Sequence, residues 1–302
     1  MNEIVSIVVT YNRKELLIEC LEALKRSSVK TDILVVDNAS TDGTQDAIKS
    51  YVDGSRIFYL NTEKNIGGAG GFNYGLKKAF NMGYKYFWLM DDDTIVREDS
   101  LNEILNAKNI IGENFGFLSS LAEWTDGALC KMNHHYISPK WNESKNMLKH
   151  GLAQIEIATF VSFFTKRDVL TEVGYPIKDF FIWGDDTEFS LRISKKFPCY
   201  LVSKSVVLHK MKDNQGSANF ESFTDETRIN RMFFAFRNGC YTKKTLGYKK
   251  TIKYLLTGLR ILKRVWLGGN KYKIKKTAII IKGYVTGLMF FKPVVERPET
   301  SN

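Results

Sequence analysis

Ile4-Val-Ser-Ile-Val-Val-Thr10 runs into Tyr11-Asn-Arg13, and Ile33-Leu-Val-Val36 runs into Asp37. Each is a short β-branched apolar run that stops at a polar cluster, the pattern of a strand buried on both faces. Between them Leu16, Leu17, Cys20, Leu21 and Leu24 recur at helical spacing, and Asn12 with Glu15 three residues on predicts a capping box at the start of that helix. Asn38-Ala-Ser-Thr-Asp-Gly43 is dense in turn residues and predicts a further helix from near Thr41. Residues 57–60 predict a third strand, and Tyr86-Phe-Trp-Leu-Met90 a fourth that ends at Asp91-Asp92-Asp93. Strands alternating with helices over short links predict an α/β fold, a mostly parallel sheet with helices on both faces. Ligands of such sheets bind beyond the carboxyl ends of the strands. Thr10, Arg13, Asp37 and the aspartate triplet all fall at such ends, so one crevice is expected to collect them.

The composition fits a folded soluble protein. With 44% hydrophobic and 25% charged residues in 302, disorder, collagen and a small disulfide scaffold are excluded. The four cysteines (Cys20, Cys130, Cys199, Cys240) lack metal or disulfide spacing, and no charged n-region with an apolar h-region follows Met1, so a cytoplasmic location is expected. The net charge of +11 is unevenly placed. Residues 241–302 hold fifteen Lys and Arg against two acids, which leaves residues 1–240 slightly acidic. Two regions are therefore expected, an α/β domain over 1–240 and a basic amphipathic helical region over 241–302. In the second, Leu255, Leu259, Leu262 and Trp266 repeat at helical spacing among Lys249, Lys250, Lys253, Arg260, Lys263 and Arg264. The apolar run over 277–291 is broken by Lys282 and is short for a span of about 20 residues. The region reads as helices lying on an anionic membrane surface, on the inner face of the cell membrane. The other reading packs the apolar stripe on the catalytic body. A nucleic-acid partner is set aside, because the tail is apolar and the crevice acid-lined.

Three adjacent carboxylates after a strand repel one another, and a hard divalent cation carrying phosphate oxygens would offset that repulsion. In an extended Asp-x-Asp segment the first and third side chains share a side, so Asp91 and Asp93 can serve one metal–nucleotide complex. Asn65-Ile-Gly-Gly-Ala-Gly-Gly-Phe72 opens a helix where backbone N–H groups could meet phosphate. It follows neither the dinucleotide-binding nor the P-loop pattern. In Trp183-Gly-Asp-Asp-Thr-Glu188 a turn at Gly184 feeds Asp185, Asp186 and Glu188 into the first turn of a helix. The helix dipole accounts for such acids in part. Asp186 beside an aromatic wall also suits a general base for an acceptor hydroxyl. His209 ends an apolar run and gains interest only from a metal site that lacks a nitrogen ligand.

Taken in order, Thr10-Tyr-Asn-Arg13, Val36-Asp37-Asn-Ala-Ser-Thr-Asp-Gly43, Asn65-x-Gly-Gly68, the aspartate triplet and Gly184-Asp-Asp-x-Glu188 resemble the inverting GT-A glycosyltransferases of the large family 2 over residues 3–240. The Gly-rich loop, Arg13 and the Trp before the acids look most like the galactofuranosyltransferase branch. Rhamnosyltransferases, which use dTDP-rhamnose, share the frame and a segment similar to Phe233-Phe-Ala-Phe-Arg-Asn238. The resemblance implies a metal-dependent transfer of galactofuranose from UDP-galactofuranose to a lipid-linked glycan acceptor in polysaccharide synthesis. It implies Asp37 at the uracil, with Thr10, Arg13, Asn65, Gly67, Gly68 and Asp91 at the nucleotide and diphosphate. It further implies Mn²⁺ or Mg²⁺ on Asp91, Asp93 and His209, Asp186 as base, and Trp183, Asp185 and Glu188 at the sugar or acceptor. It assigns no task to Asp92. A nucleotidyltransferase is disfavoured, because Tyr11-Asn-Arg-Lys-Glu15 has no glycine where that chemistry needs a Gly-rich loop.

Overall fold

The computed structural model describes residues 2–214, 220–268 and 271–299. The strands are β1 (Ile4–Thr10), β2 (Asp32–Asp37), β3 (Ile57–Asn61), β4 (Tyr86–Asp91), β5 (Thr94–Val96), β6 (Phe117–Glu123), β7 (Tyr136–Ile137), β8 (Leu152–Ile157), β9 (Phe163–Lys166) and β10 (Tyr200–His209). The helices are α1 (Lys14–Arg26), α2 (Thr44–Ala47), α3 (Gly67–Asn81), α4 (Ser100–Ile111), α5 (Lys145–Leu148), α6 (Arg167–Val173), α7 (Asp185–Ser194), α8 (Glu226–Thr245), α9 (Tyr248–Leu267) and α10 (Lys273–Val285).

The sheet order is β3-β2-β1-β4-β9-β6-β10-β8-β7, with β5 on β10. The half from β3 to β4 is parallel, as its apolar runs require. Beyond β4 the sheet is mixed, because β9 lies antiparallel between β4 and β6. Leu17, Cys20 and Leu21 of α1 pack on one face with Leu101 and Ile104 of α4. Phe72 and Leu76 of α3 pack on the other with Val169 of α6 and Phe189 of α7. Register sets the crevice: Thr10 pairs with Asp37, and Val9 with Asp91, so three strands deliver polar residues at one edge.

The helix after β1 begins differently from the capping box expected at Asn12. Asn12 sits at φ 54°, its N–H donates to Ser40 Oγ at 2.8 Å, and its Oδ1 accepts from the Thr41 N–H at 2.7 Å. Asn tolerates this left-handed conformation, which frees it to tie two loops together. The cap role passes to Asp42, whose Oδ2 accepts from the Lys14 N–H at 3.0 Å.

The expected boundary at 240/241 falls inside α8, which packs on α9 and α10 around Phe236, Cys240, Val265, Ile280 and Tyr284. Residues 293–298 then return to the sheet domain. Glu296 accepts from Lys77 at 2.6 Å, Lys178 at 2.9 Å and Asn73 at 3.1 Å, and its carbonyl accepts from the Tyr175 N–H. In α9 the anticipated single apolar stripe is two: Leu255 and Leu262 face the helical core, whereas Leu259 and Trp266 are exposed with Ile252 and Leu256. Among the described residues no helix is long and apolar enough to cross a membrane.

Candidate active site

The aspartate triplet occupies the tight link between β4 and β5. Pairing of β5 with β10 sets His209 opposite Thr94, next to Asp93. His209 Nε2 lies 3.1 Å from Asp93 Oδ1. Asn133 donates its amide to Thr159 Oγ1 at 2.6 Å, so its carbonyl oxygen faces His209 Nδ1 at 2.8 Å and accepts the ring proton. That contact directs Nε2 at Asp93, the outer-shell arrangement common behind a metal-bound histidine. Asp93 Oδ1 is buried and has no well-directed hydrogen bond. A buried, unsatisfied carboxylate oxygen beside an oriented imidazole nitrogen fits a divalent cation. Among the described residues, however, no three His, Cys, Asp or Glu side chains converge at metal-binding separation, so Asp91 does not complete a closed site with Asp93 and His209. A hard cation that retains waters and substrate phosphate oxygens needs only one or two protein carboxylates.

Arg13 neutralises the triplet. Its Nη1 donates to Asp93 Oδ2 at 2.5 Å and to Asp92 Oδ1 at 3.3 Å, and Thr10 Oγ1 donates to Asp92 Oδ2 at 2.7 Å. Asp92 therefore holds the β1 loop against the link between β4 and β5. Burial, with the charge of Asp93 and Asp92 behind it, pushes the Asp91 carboxyl up to about 8. Burial also pushes Asp92 up, to about 6, against the pull of Arg13. At Asp93 burial acts in the same sense, but the close approach and charge of His209 together with Arg13 outweigh it and keep the carboxyl below its ordinary range. Burial would lower the His209 imidazole, yet the Asp93 carboxylate 3.1 Å away dominates and lifts it to about 10.

Asp37 is fully buried, and its carboxylate is already engaged by the Ser40 N–H and Oγ at 2.9 and 2.6 Å and by Tyr59 OH at 2.7 Å. It braces the turn after β2. The Gly-rich segment forms the first turns of α3. Asn65 Oδ1 accepts from the Gly67 N–H at 2.8 Å, while Gly71 and Gly75 let the helix settle onto Val9, Ile7 and Val36. At Gly67 (φ 75°) an added Cβ would lie 2.1 Å from Phe181 O, whereas one at Gly68 would meet nothing. The loop thus packs on the sheet and on the acid loop, and Gly68 alone presents open backbone.

The acid loop is held in an uncommon conformation. Phe181 and Trp183 have φ of 64° and 65°, and Gly184 has φ 83° as it caps α7. Buried Asn238 of α8 donates to the carbonyls of Phe180, Ile182 and Trp183 at 2.9, 3.1 and 2.8 Å. Its neighbour Arg237 donates to the carbonyls of Asp179 and Phe180 and to Asn238 Oδ1. Non-glycine residues held at positive φ cost about 1–3 kcal/mol each, which this clamp offsets. Burial and then the charge of Asp186 push Asp185 well above the carboxylate range. The start of α3 ties this loop to the strand ends, because Asn38 Nδ2 donates to the Gly67 carbonyl at 3.1 Å and the Ala69 N–H donates to the Phe181 carbonyl at 3.2 Å. Asp186 Oδ1 accepts from the Thr187 N–H at 2.6 Å and from Thr187 Oγ1 at 3.2 Å; burial raises it despite those bonds. Glu188 is held by Arg192. Its two oxygens take Arg192 Nε and Nη2 at 2.9 and 2.8 Å, and Arg192 in turn holds the carbonyls of Val173 and Tyr175. That fork is a brace between α6 and α7.

Asn133, Tyr59, Arg237 and Asn238 escaped the sequence reading as site residues. Only the Phe233–Asn238 segment carried a signal, and that signal was one of family likeness rather than of contact.

The sequence pattern of glycosyl transferase family 2 matches residues 6–169. Galactofuranosyltransferase GlfT1 of Mycolicibacterium smegmatis is 25% identical over 266 residues, covering 82% of this chain and 85% of that one. The Mycobacterium tuberculosis protein of the same name is 26% identical, with 82% and 84% covered. Among solved structures, the fold is similar to that of Staphylococcus aureus TarS 1-349 (TM-score 0.54, 14% identity, 94% of this chain and 72% of that one). It is also similar to mannosyltransferase PcManGT from Pyrobaculum calidifontis, solved with GDP-Man and Mn²⁺ (TM-score 0.53, 16% identity, 95% and 87%).

Proposed function

Because the chain belongs to glycosyl transferase family 2, we propose that it is an inverting galactofuranosyltransferase taking UDP-galactofuranose as donor and a lipid-linked glycan hydroxyl as acceptor. The observation that carries the reading is the joining of the strand ends to the acid loop through the start of α3, where Asn38 Nδ2 donates to the Gly67 carbonyl at 3.1 Å and the Ala69 N–H donates to the Phe181 carbonyl at 3.2 Å. The likeness to galactofuranosyltransferases over most of both chains supports the choice of sugar.

In this reading the acceptor hydroxyl attacks the anomeric carbon from the face opposite UDP, through a transition state with oxocarbenium character. Its proton passes to the Asp186 carboxylate as the new glycosidic bond forms, and the anomeric C–O bond breaks with its electron pair leaving on UDP. The elevated affinity of Asp186 for protons suits that task. Trp183 flanks the reacting sugar, and Arg13 faces the diphosphate. Mn²⁺ or Mg²⁺ on Asp93 and His209, with Asp91 nearby, would supply charge neutralisation on the leaving diphosphate. The exposed apolar stripe of α9, edged by Lys249, Lys253 and Arg260, suits adsorption to an anionic bilayer and a peripheral place on the inner face of the membrane.

Nucleotide release from UDP- and dTDP-sugars, with Mn²⁺ and a synthetic acceptor, tests the reading. Release from UDP-galactofuranose that is lost in Asp186→Asn is expected. Release from dTDP-rhamnose would give the runner-up its place, and UDP affinity that ignores both Mn²⁺ and Asp93→Ala would overturn the metal assignment.

A further inference from the structure

We propose that the hollow between the start of α7 and α8 is a phosphate-recognising subsite for the acceptor, built around Lys243 with Lys250 and Lys253. The hollow measures about 170 Å³; Trp183, Gly184 and Thr187 form one wall, and Ala235, Thr242 and Lys243 the other. Lys243 is half-buried at its edge. Burial lowers its ammonium from the ordinary lysine range, and the charges of Lys250 and Lys253 from the start of α9 lower it further. Among the described residues none of these three lysines makes an ion pair, whereas Lys77, Lys178, Lys196 and Lys275 each hold a carboxylate. One half-buried cation at the edge of the hollow thus has two more behind it on α9, and an anion seated in the hollow on Lys243 relieves their mutual repulsion.

The other wall says what the anion is joined to. Trp183 offers an aromatic face, and Thr187 is the residue whose N–H and hydroxyl hold Asp186. A glycosyl phosphate anchored on Lys243 therefore lays its sugar along Trp183, beside the helix turn that carries Asp186. A neutral glycan would not need the lysines, and a nucleic acid would meet spread charge rather than one hollow. That the bound sugar is then glycosylated rests on the function proposed above; that the hollow takes phosphate does not.

Lysine acylation by acetic anhydride, mapped by mass spectrometry on the full chain, tests this without any transfer reaction. Glucose 1-phosphate is expected to slow modification of Lys243 roughly tenfold at saturation, while methyl glucoside leaves it unchanged, because charge-assisted bonds carry the difference. In the Lys250→Gln/Lys253→Gln variant, both exposed positions, the half-protecting concentration should rise about tenfold. Protection should persist with UDP and Mn²⁺ present. Equal protection by both sugars, no protection, or protection abolished by UDP would overturn the proposal, the last by assigning the phosphate to the donor site. Protection only by phosphatidylglycerol vesicles would also overturn it, in favour of a bilayer headgroup. Persistent protection in a protein that turns over no nucleotide-sugar would refute the proposed function and leave the subsite standing.

Discussion

Replacing Asn238 by Ala should release the acid loop. In the native structure its Nδ2 serves three carbonyls, and Phe180 O keeps a second donor in Arg237 at 3.1 Å. The Ile182 and Trp183 carbonyls lose their clamp, and Arg237 Nε loses Asn238 Oδ1 as acceptor. An unsatisfied buried polar group costs about 1–3 kcal/mol, so three of them at the low end give about 3 kcal/mol. Water entering the half-buried loop recovers part of that, which leaves about 2 kcal/mol. Phe181 and Trp183 can then relax from positive φ, so the loss appears as local opening more than as global unfolding. At 1.4 kcal/mol per decade, amide exchange of residues 181–183 should quicken about 30-fold. Mass-spectrometric hydrogen exchange measures this directly, and steady-state kinetics should show kcat falling far more than KM rises. Unchanged exchange at 181–183, with unchanged kcat, would refute the claim that the clamp holds the loop.

Three further outcomes follow from the geometry. Asp186→Asn should cost about 10²–10⁴ in kcat, and since only the ionised carboxylate accepts a proton, wild-type rates should fall with acid at a pH above the ordinary carboxylate range. A pH profile settling at ordinary carboxylate values would contradict the upward shift of the Asp186 carboxyl. Gly67→Ala places a methyl group against Phe181 O at a φ of 75° and should destabilise by about 2 kcal/mol or more, read as a shift in urea midpoint. The carboxyl of Glu296 is held down to about 2: burial opposes this, and its bonds to Lys178 and Lys77 prevail. A depressed acid stabilises above its unfolded value and loses that benefit as pH falls from about 4.5 toward 2. Glu296→Gln should therefore cost about 1 kcal/mol at neutral pH and nothing near pH 2, and equal losses at both would exclude the ion-pair account.

The parallel half of the fold was legible because its strands are buried on both faces and announce themselves as apolar runs. Their polar ends followed from topology alone, which is why Thr10, Asp37 and Asp91 came together as expected. The other half hid for physical reasons. Strand β5 has three residues, too few to show a period, yet its pairing is what brings His209 to Asp93. Glu188 sits four residues before Arg192, a spacing that describes a plain helical ion pair, and nothing local showed that Arg192 would also reach the Val173 and Tyr175 carbonyls. Asn238 lies 55 residues from the nearest carbonyl it clamps, so nothing local marked it. In α9, helical periodicity could not separate a packed stripe from an exposed one, because Leu255 and Leu259 look alike until Phe236 and Tyr284 take one side.

Helix α8 belongs to two bodies at once. Phe236 and Cys240 are rooted in the helical layer, and Arg237 and Asn238, on the same turn, grip the carbonyls before α7. No loop intervenes between the two grips. A rotation of α8 by a few degrees is therefore transmitted as torsion to the backbone of Trp183 and to the acids that follow it. The helical layer acts mechanically as a handle on the crevice, so whatever bears on α9 and α10 from outside is felt at the loop before α7.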